Sequence, residues 1–167
     1  MLIRDATPDD IPSLAPIEAR GDALFATVGH PEFVGPHQIS DADAARAIAE
    51  RRLRVAELDG IVVGWLAVDR LGAELLLSQV CVEPAHARHG IGTALLRDCI
   101  ERARASGEPS PILDTQADVV WNAPWYARHG FEPIPVDGWT DDLQARAQAQ
   151  EAAGFDWSTR VFMRLRL

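Results

Sequence analysis

Lysine is absent from this sequence: all sixteen basic residues are arginine. That excludes a lysine Schiff base, a Walker lysine and any catalytic lysine. Cysteine is scarce. Cys81 and Cys99 are too few for a disulfide framework and form no CxxC motif, so both read as small buried apolar residues. No apolar run approaches the roughly 18 residues of a membrane span, and no basic leader with a cleavage site opens the chain. The expectation is a cytoplasmic protein without a membrane partner. Positive charge is also short. A formal charge of −9 argues against nucleic acid, since phosphate-tracking proteins need basic surface, and leaves room for cationic substrates. No partner cluster completes a metal site around His86 and His89, so no metal is expected.

What is present is an ordinary globular balance, 47% hydrophobic and 25% charged over 167 residues, which suits one domain spanning 1–167. "LIRDA" predicts a first strand. "TPDDIPSLAPIEARGDALFAT" predicts a capped helix, with Pro8 at its first position and a kink at Pro16. "VGHPEFVGPHQ" is a loop, and Ser40 opens a short helix with Asp43 as a capping-box echo. "RLRVAELDGIVVGWLAVDR" is a hairpin turning at Asp59-Gly60, and "AELLLSQVCV" is the next strand. A helix follows from about Gly92 to Ala105. Then come a strand at "PILDT", a brief helix at "NAPWYARHG", a strand at "FEPIPV", a polar helix closed by Gly154 and an alternating last strand, "TRVFMRLRL". The order is α+β, a mixed sheet with helices on its faces.

The stretch "EPAHARHGIGTALLRDCIERA" places Gly90 and Gly92 at the mouth of a helix. Glycines let the main chain approach an anion, and the helix start adds about half a positive charge. A P-loop needs a lysine and fails. A dinucleotide fingerprint needs a third glycine where Leu95 stands, although Asp114 follows on a strand at a suitable distance. A structural turn without a ligand is the bland alternative. An arch of amides around a pyrophosphate is the third functional reading, with Arg88 adding a charge-assisted contact.

"VCVEPAHARHGIGTALL" resembles the acetyl-CoA motif of the GNAT superfamily of N-acetyltransferases. In that family a strand ends in V-x-P and an arch of Q/R-x-x-G-x-G/A opens the next helix. Val82, Pro84, Gly90 and Gly92 fit, while Ala87 stands at the first arch position with Arg88 one place later. "TPDDIPSL" is similar to the family's first helix, and "WNAPWYARHGF" to its later Asn…Tyr-x-x-x-Gly-Phe motif. The resemblance implies a single-domain α+β GNAT fold with a splayed mixed sheet. It implies acetyl-CoA as co-substrate, lying between the strand ending at Val82 and the one ending near Thr115. The pantetheine arm would pair with the backbone of Val80, Cys81 and Val82. The pyrophosphate would sit on the amides of Arg88, His89, Gly90, Ile91, Gly92 and Thr93.

Acetyl transfer to an amine needs a base, an oxyanion donor and a proton for the departing thiolate. The motif puts the proton donor at Tyr126, the only tyrosine, with Asn122 contacting the coenzyme or fixing the turn. The backbone N–H of Val80 is the natural oxyanion donor. Family members often carry an ionisable group on the central strand, where this chain has Ser78 and Gln79. Glu74, in alternation with Ser78, is the candidate base, beside a water relay to Glu74, Glu18 or Asp22. His30 and His37 lie in the covering loop and are expected to face solvent. Trp121, Trp125, Phe25 and Phe33 are candidates to wall an acceptor pocket, with core packing as the alternative. The expectation is an N-acetyltransferase moving acetyl from acetyl-CoA to the primary amine of a small cationic acceptor in a direct ternary complex. Glu18, Asp22 and Glu32 suggest the cationic class. The rivals are a non-catalytic acyl-CoA binding module and a dinucleotide oxidoreductase. The apolar last strand offers a pairing edge for a homodimer.

Overall fold

A computed structural model describes residues 1–166. Seven strands form one mixed sheet: β1 (Leu2–Asp5), β2 (Leu53–Leu58), β3 (Ile61–Leu71), β4 (Glu74–Val82), β5 (Ile112–Gln116), β6 (Phe131–Pro133) and β7 (Arg160–Leu165). Their order is β1-β2-β3-β4-β5-β7-β6. The pairings β1/β2, β2/β3, β5/β7 and β6/β7 are antiparallel. β4 and β5 are parallel, registered at Leu76 opposite Ile112. Among the described residues, five α-helices accompany the strands: α1 (Ile11–Asp22), α2 (Asp41–Ala49), α3 (Ile91–Ala105), α4 (Ala123–Ala127) and α5 (Asp141–Ala152). Among the described residues, no helix is long and apolar enough to cross a membrane.

The chain divides into two compact units: residues 1–68 with 78–102, and residues 69–77 with 103–167. In the first, α1 and α2 bring Leu14, Ile17, Ala44 and Ala47 onto Val55, Trp65 and Cys81. The Trp65 indole N–H donates to the Leu14 carbonyl at 3.0 Å, which satisfies its one polar group in the core. α1 runs unbroken through Pro16 to Asp22. The ring forgoes only the bond to the carbonyl four residues back, and the packing of Leu14 and Ile17 holds the turn. Ser40 caps α2 as expected, its hydroxyl accepting from the Asp43 N–H at 3.1 Å. α3 buries Ile91, Leu95, Cys99 and Ala103, a stripe with four-residue spacing, and Arg54 of β2 fixes Asp98 on its flank at 2.8 Å.

In the second unit, α5 lays Leu143 and Ala147 on a cluster with Ile112, Trp157 and Phe162. Thr140 caps α5 by accepting from the Leu143 N–H, and Gly154 ends it at φ +98°. β6 stops at Pro133, short of the expected Val136, because two prolines in "PIP" limit the ladder; the Ile134 N–H still donates to the Phe162 carbonyl at 2.8 Å. β7 pairs with β5 over residues 160–164 and with β6 over residues 163–165. The strand expected to offer a pairing edge for a homodimer thus has partners within the sheet on both sides.

Candidate functional site

β4 ends at Val82 and the pairing continues one step, with the Glu83 N–H donating to the Val63 carbonyl at 2.9 Å. Pro84–His86 then make one 3₁₀ turn. Arg88 at φ +63° and Gly90 at φ +80° are both left-handed, so the chain arches twice before α3 begins at Ile91. A left-handed arginine is strained, and a tight arch that turns the backbone is where such strain is held. A side chain on Gly90 would meet no heavy atom within 4 Å, so space lies open beside the arch. The mouth of α3 is the positive end of a 15-residue helix dipole. Ile91 is buried while Arg88, His89 and Gly90 are exposed, so the helix is anchored and its mouth faces solvent. These residues suit a pyrophosphate: backbone donors, a helix N-terminus, a nearby guanidinium and room.

Two contacts hold this mouth in place. Arg20, near the end of α1, grips the Glu83 carboxylate through bonds of 2.6 to 3.0 Å. Beneath it, Gly64 of β3 lets β4 approach closely. A Cβ there would lie 2.8 Å from the Cys81 carbonyl oxygen and 3.2 Å from Ile91 Cγ2.

Glu18 sits on the buried face of α1, one turn beyond Leu14, and is only 6% exposed. Its Oε1 accepts from the Gln79 carboxamide at 2.8 Å and its Oε2 from the Ile39 N–H at 2.8 Å. Desolvation outweighs these two bonds, and together with the nearby Asp22 charge it pushes the carboxyl up to about 7. Asp22, one turn further along α1, is likewise raised by burial, opposed by the Gln38 carboxamide at 3.3 Å and by the His37 charge. Most acids in the described ion pairs are held by arginine, as Asp10 is by Arg4 and Asp98 by Arg54. Glu18 and Asp22 are instead met by amides. Burial also drives the Cys81 thiol well up and Cys99 to about 12, so neither is a thiolate nucleophile near neutral pH.

In the second unit, Asn122 occupies the N-cap of α4, but its main chain does the work: the carbonyl accepts from the Trp125 and Tyr126 N–H groups at 2.8 and 2.9 Å. The Tyr126 ring stands edge-on to Trp125 and Phe131, with centroids at 4.8 and 5.5 Å. Gly130 at φ +89° turns the chain from α4 into β6.

Three placements bear on the sequence reading. Glu74, one candidate base beside the water relay to Glu74, Glu18 or Asp22, opens β4 and is clamped by Arg164 through bonds of 2.6 and 3.0 Å. A guanidinium thus faces Glu74, while the buried, weakly acidic carboxylate is Glu18. Glu18 was named in the sequence as one end of a water relay, but its burial was not legible there, since helical period does not reveal what lies opposite. His30 is buried rather than solvent-facing, with Nδ1 2.9 Å from Glu32 Oε1 and its ring edge-on to Phe33. His37 is exposed as expected. Asp114, which kept the dinucleotide reading open, is spoken for by Arg146 at 2.6 Å, Gln150 at 3.0 Å and Arg160. A ribose would have to displace two guanidinium partners. Among the described residues no group of three His, Cys, Asp or Glu side chains is arranged to hold a metal ion.

Known structures share this architecture. One is PaiA N-acetyltransferase of Thermoplasma acidophilum in complex with coenzyme A, with a TM-score of 0.72 and 14% identity over 99% of this chain and 98% of that one. Another is ribosomal-protein-alanine N-acetyltransferase of Brucella melitensis, at 0.71 and 23% identity over the whole of both chains. A third, N-acetylglutamate synthase of Neisseria gonorrhoeae with coenzyme A and N-acetyl-glutamate, gives 0.72 and 20% identity over 99% of this chain and 35% of that one. At these identities the likeness is one of fold. The family model of the acetyltransferase (GNAT) domain matches residues 49–133, from the end of α2 through β6, including the arch and the Tyr126 turn, and the chain therefore belongs to the GNAT superfamily of N-acetyltransferases.

Proposed function

We propose that this chain moves the acetyl group of acetyl-CoA directly to the primary amine of a small cationic acceptor. The observation that carries the reading is the arch: left-handed Arg88 and Gly90, open space beside Gly90, and the mouth of α3 behind them. Two of the structural relatives hold coenzyme A, which supports that ligand here. The co-substrate supplies an activated thioester; the chain's residues bind it and handle protons. Amides from Arg88 to Thr93 bind the pyrophosphate, and the backbone of Val80–Val82 pairs with the pantetheine arm.

Glu18 is the base. A carboxylate raised to about 7 is basic enough to take a proton from an ammonium yet largely ionised above neutrality. It accepts the acceptor's proton directly or through one water. The Val80 N–H donates to the oxyanion that develops on the carbonyl. Tyr126 gives its hydroxyl proton to the departing thiolate. The acceptor's cationic class rests on Glu18 and Asp22, carboxylates that lack a guanidinium partner among the described ion pairs. Both thiols are held protonated, which favours direct transfer over an acyl-cysteine route.

The test is thiol release from acetyl-CoA across a panel of amines, with coenzyme A affinity by calorimetry on Gly92→Asp. Turnover with diamines or polyamines, and loss of coenzyme A binding in the variant, is the expected result. Unchanged affinity would remove the pyrophosphate assignment. Preference for acidic acceptors would remove the cationic one.

A further inference from the structure

Gln79 stands on β4 where an acid would have served as base, and its carboxamide is not idle. Its Nε2 donates to Glu18 Oε1 at 2.8 Å and to Cys81 Sγ at 3.3 Å, so both amide hydrogens are used. An ionised carboxylate only accepts, which fixes which end of the amide faces Glu18. The Ile39 N–H holds the other oxygen at 2.8 Å. Glu18 is thus gripped from the strand on one side and from the segment before α2 on the other. A free glutamate on a helix samples several rotamers. This one has a single orientation fixed by two donors, and each oxygen keeps lone-pair capacity for an incoming proton.

We propose that Gln79 is a positioning residue for acetyl transfer: from β4 its carboxamide fixes the Glu18 carboxylate in the orientation that receives the acceptor's proton. The proposal rests on Glu18 being the base. Unlike a second acid, an amide cannot ionise, so it remains a donor before and after Glu18 takes the proton. It also favours the ionised form of Glu18 against the burial that opposes it. The other titratable groups facing Glu18 are Asp22 on its own helix, with His37 beyond it, and the Cys81 thiol on β4. Burial and the Asp22 charge disfavour charge on Glu18. That leaves Gln79 and the Ile39 amide as the donors that sustain it.

The test compares the wild type, Gln79→Met, Glu18→Gln and the double variant. The Glu18 carboxyl is titrated by carbon NMR. The pH dependence of kcat/KM is measured with whichever amine of the panel turns over best. In Gln79→Met the Glu18 midpoint should rise by about one pH unit. The acid limb of kcat/KM should move with it, giving about a tenfold loss below neutrality that is recovered at high pH. Melting temperature and KM for acetyl-CoA should hold. The double variant should be no slower than Glu18→Gln alone. If Glu18→Gln loses turnover but Gln79→Met moves neither midpoint nor limb, the positioning role is overturned and the base assignment stands. If Glu18→Gln keeps full turnover, the base assignment falls and the proposal with it. A pH-independent loss in Gln79→Met with a lowered melting temperature would show a merely structural side chain.

Discussion

Arg164 on β7 holds both carboxylate oxygens of Glu74, at the start of β4, with bonds of 2.6 and 3.0 Å. The pair joins residues ninety positions apart in sequence and is partly exposed. Its role is therefore modest stabilisation, on the order of 1 kcal/mol or less. Glu74→Gln should leave kcat within twofold of the wild type and lower the melting temperature by no more than a few degrees. A thousandfold loss of kcat at unchanged stability would return the base to Glu74.

As the proposed base, Glu18 would set the pH dependence. Its carboxyl lies near 7 in the folded protein against an ordinary value of 4.5, so the folded state binds the proton more tightly than the unfolded chain. The stability it contributes is complete below about 4.5 and is lost as pH rises through about 7. Activity runs the other way, because only the ionised form is a base. Glu18→Gln should therefore lose roughly a hundred- to ten-thousand-fold in kcat. The same variant should melt higher than the wild type at pH 8, by about 2–4 °C for each kcal/mol of relieved burial. Thermal denaturation at pH 5 and pH 8 checks the sign, and a variant less stable at pH 8 than at pH 5 relative to wild type would contradict it.

Tyr126 separates chemistry from packing. Its ring stands edge-on to Trp125 and Phe131, and Tyr126→Phe keeps that ring. Melting temperature and coenzyme A affinity should persist while turnover falls by about a hundred- to ten-thousand-fold. A drop in stability with normal turnover of the folded fraction would make the residue structural. A loss below tenfold, abolished with a less basic amine, would show that amine attack limits the rate.

Gly64 is a packing requirement. A methyl there would sit 2.8 Å from the Cys81 carbonyl oxygen, a backbone atom that moves only with its strand. Gly64→Ala should cost about 1–3 kcal/mol and displace the end of β4. Chemical denaturation measures the cost. A raised KM for acetyl-CoA, with the KM of the amine less affected, would report the displaced strand.

The elements were legible in the sequence because each rests on local physics. The Ser40 cap, the Gly154 stop of α5, the Asp59-Gly60 hairpin and the paired glycines of the arch are decided within a few residues. The GNAT motifs share that property, since an arch of amides at a helix mouth needs only the right glycines in the right order. The sequence did not distinguish two of its carboxylates. Glu18 and Glu74 are both glutamates near apolar runs, and their surroundings diverge because folding brings the Arg164 guanidinium to Glu74 and the Gln79 amide to Glu18. Burial of His30, the claim of Arg146 and Arg160 on Asp114, and the interior place of β7 in the sheet have the same origin. Desolvation and long-range ion pairing depend on which residues meet across the fold. Those meetings, between residues up to ninety positions apart, are created only by the tertiary structure.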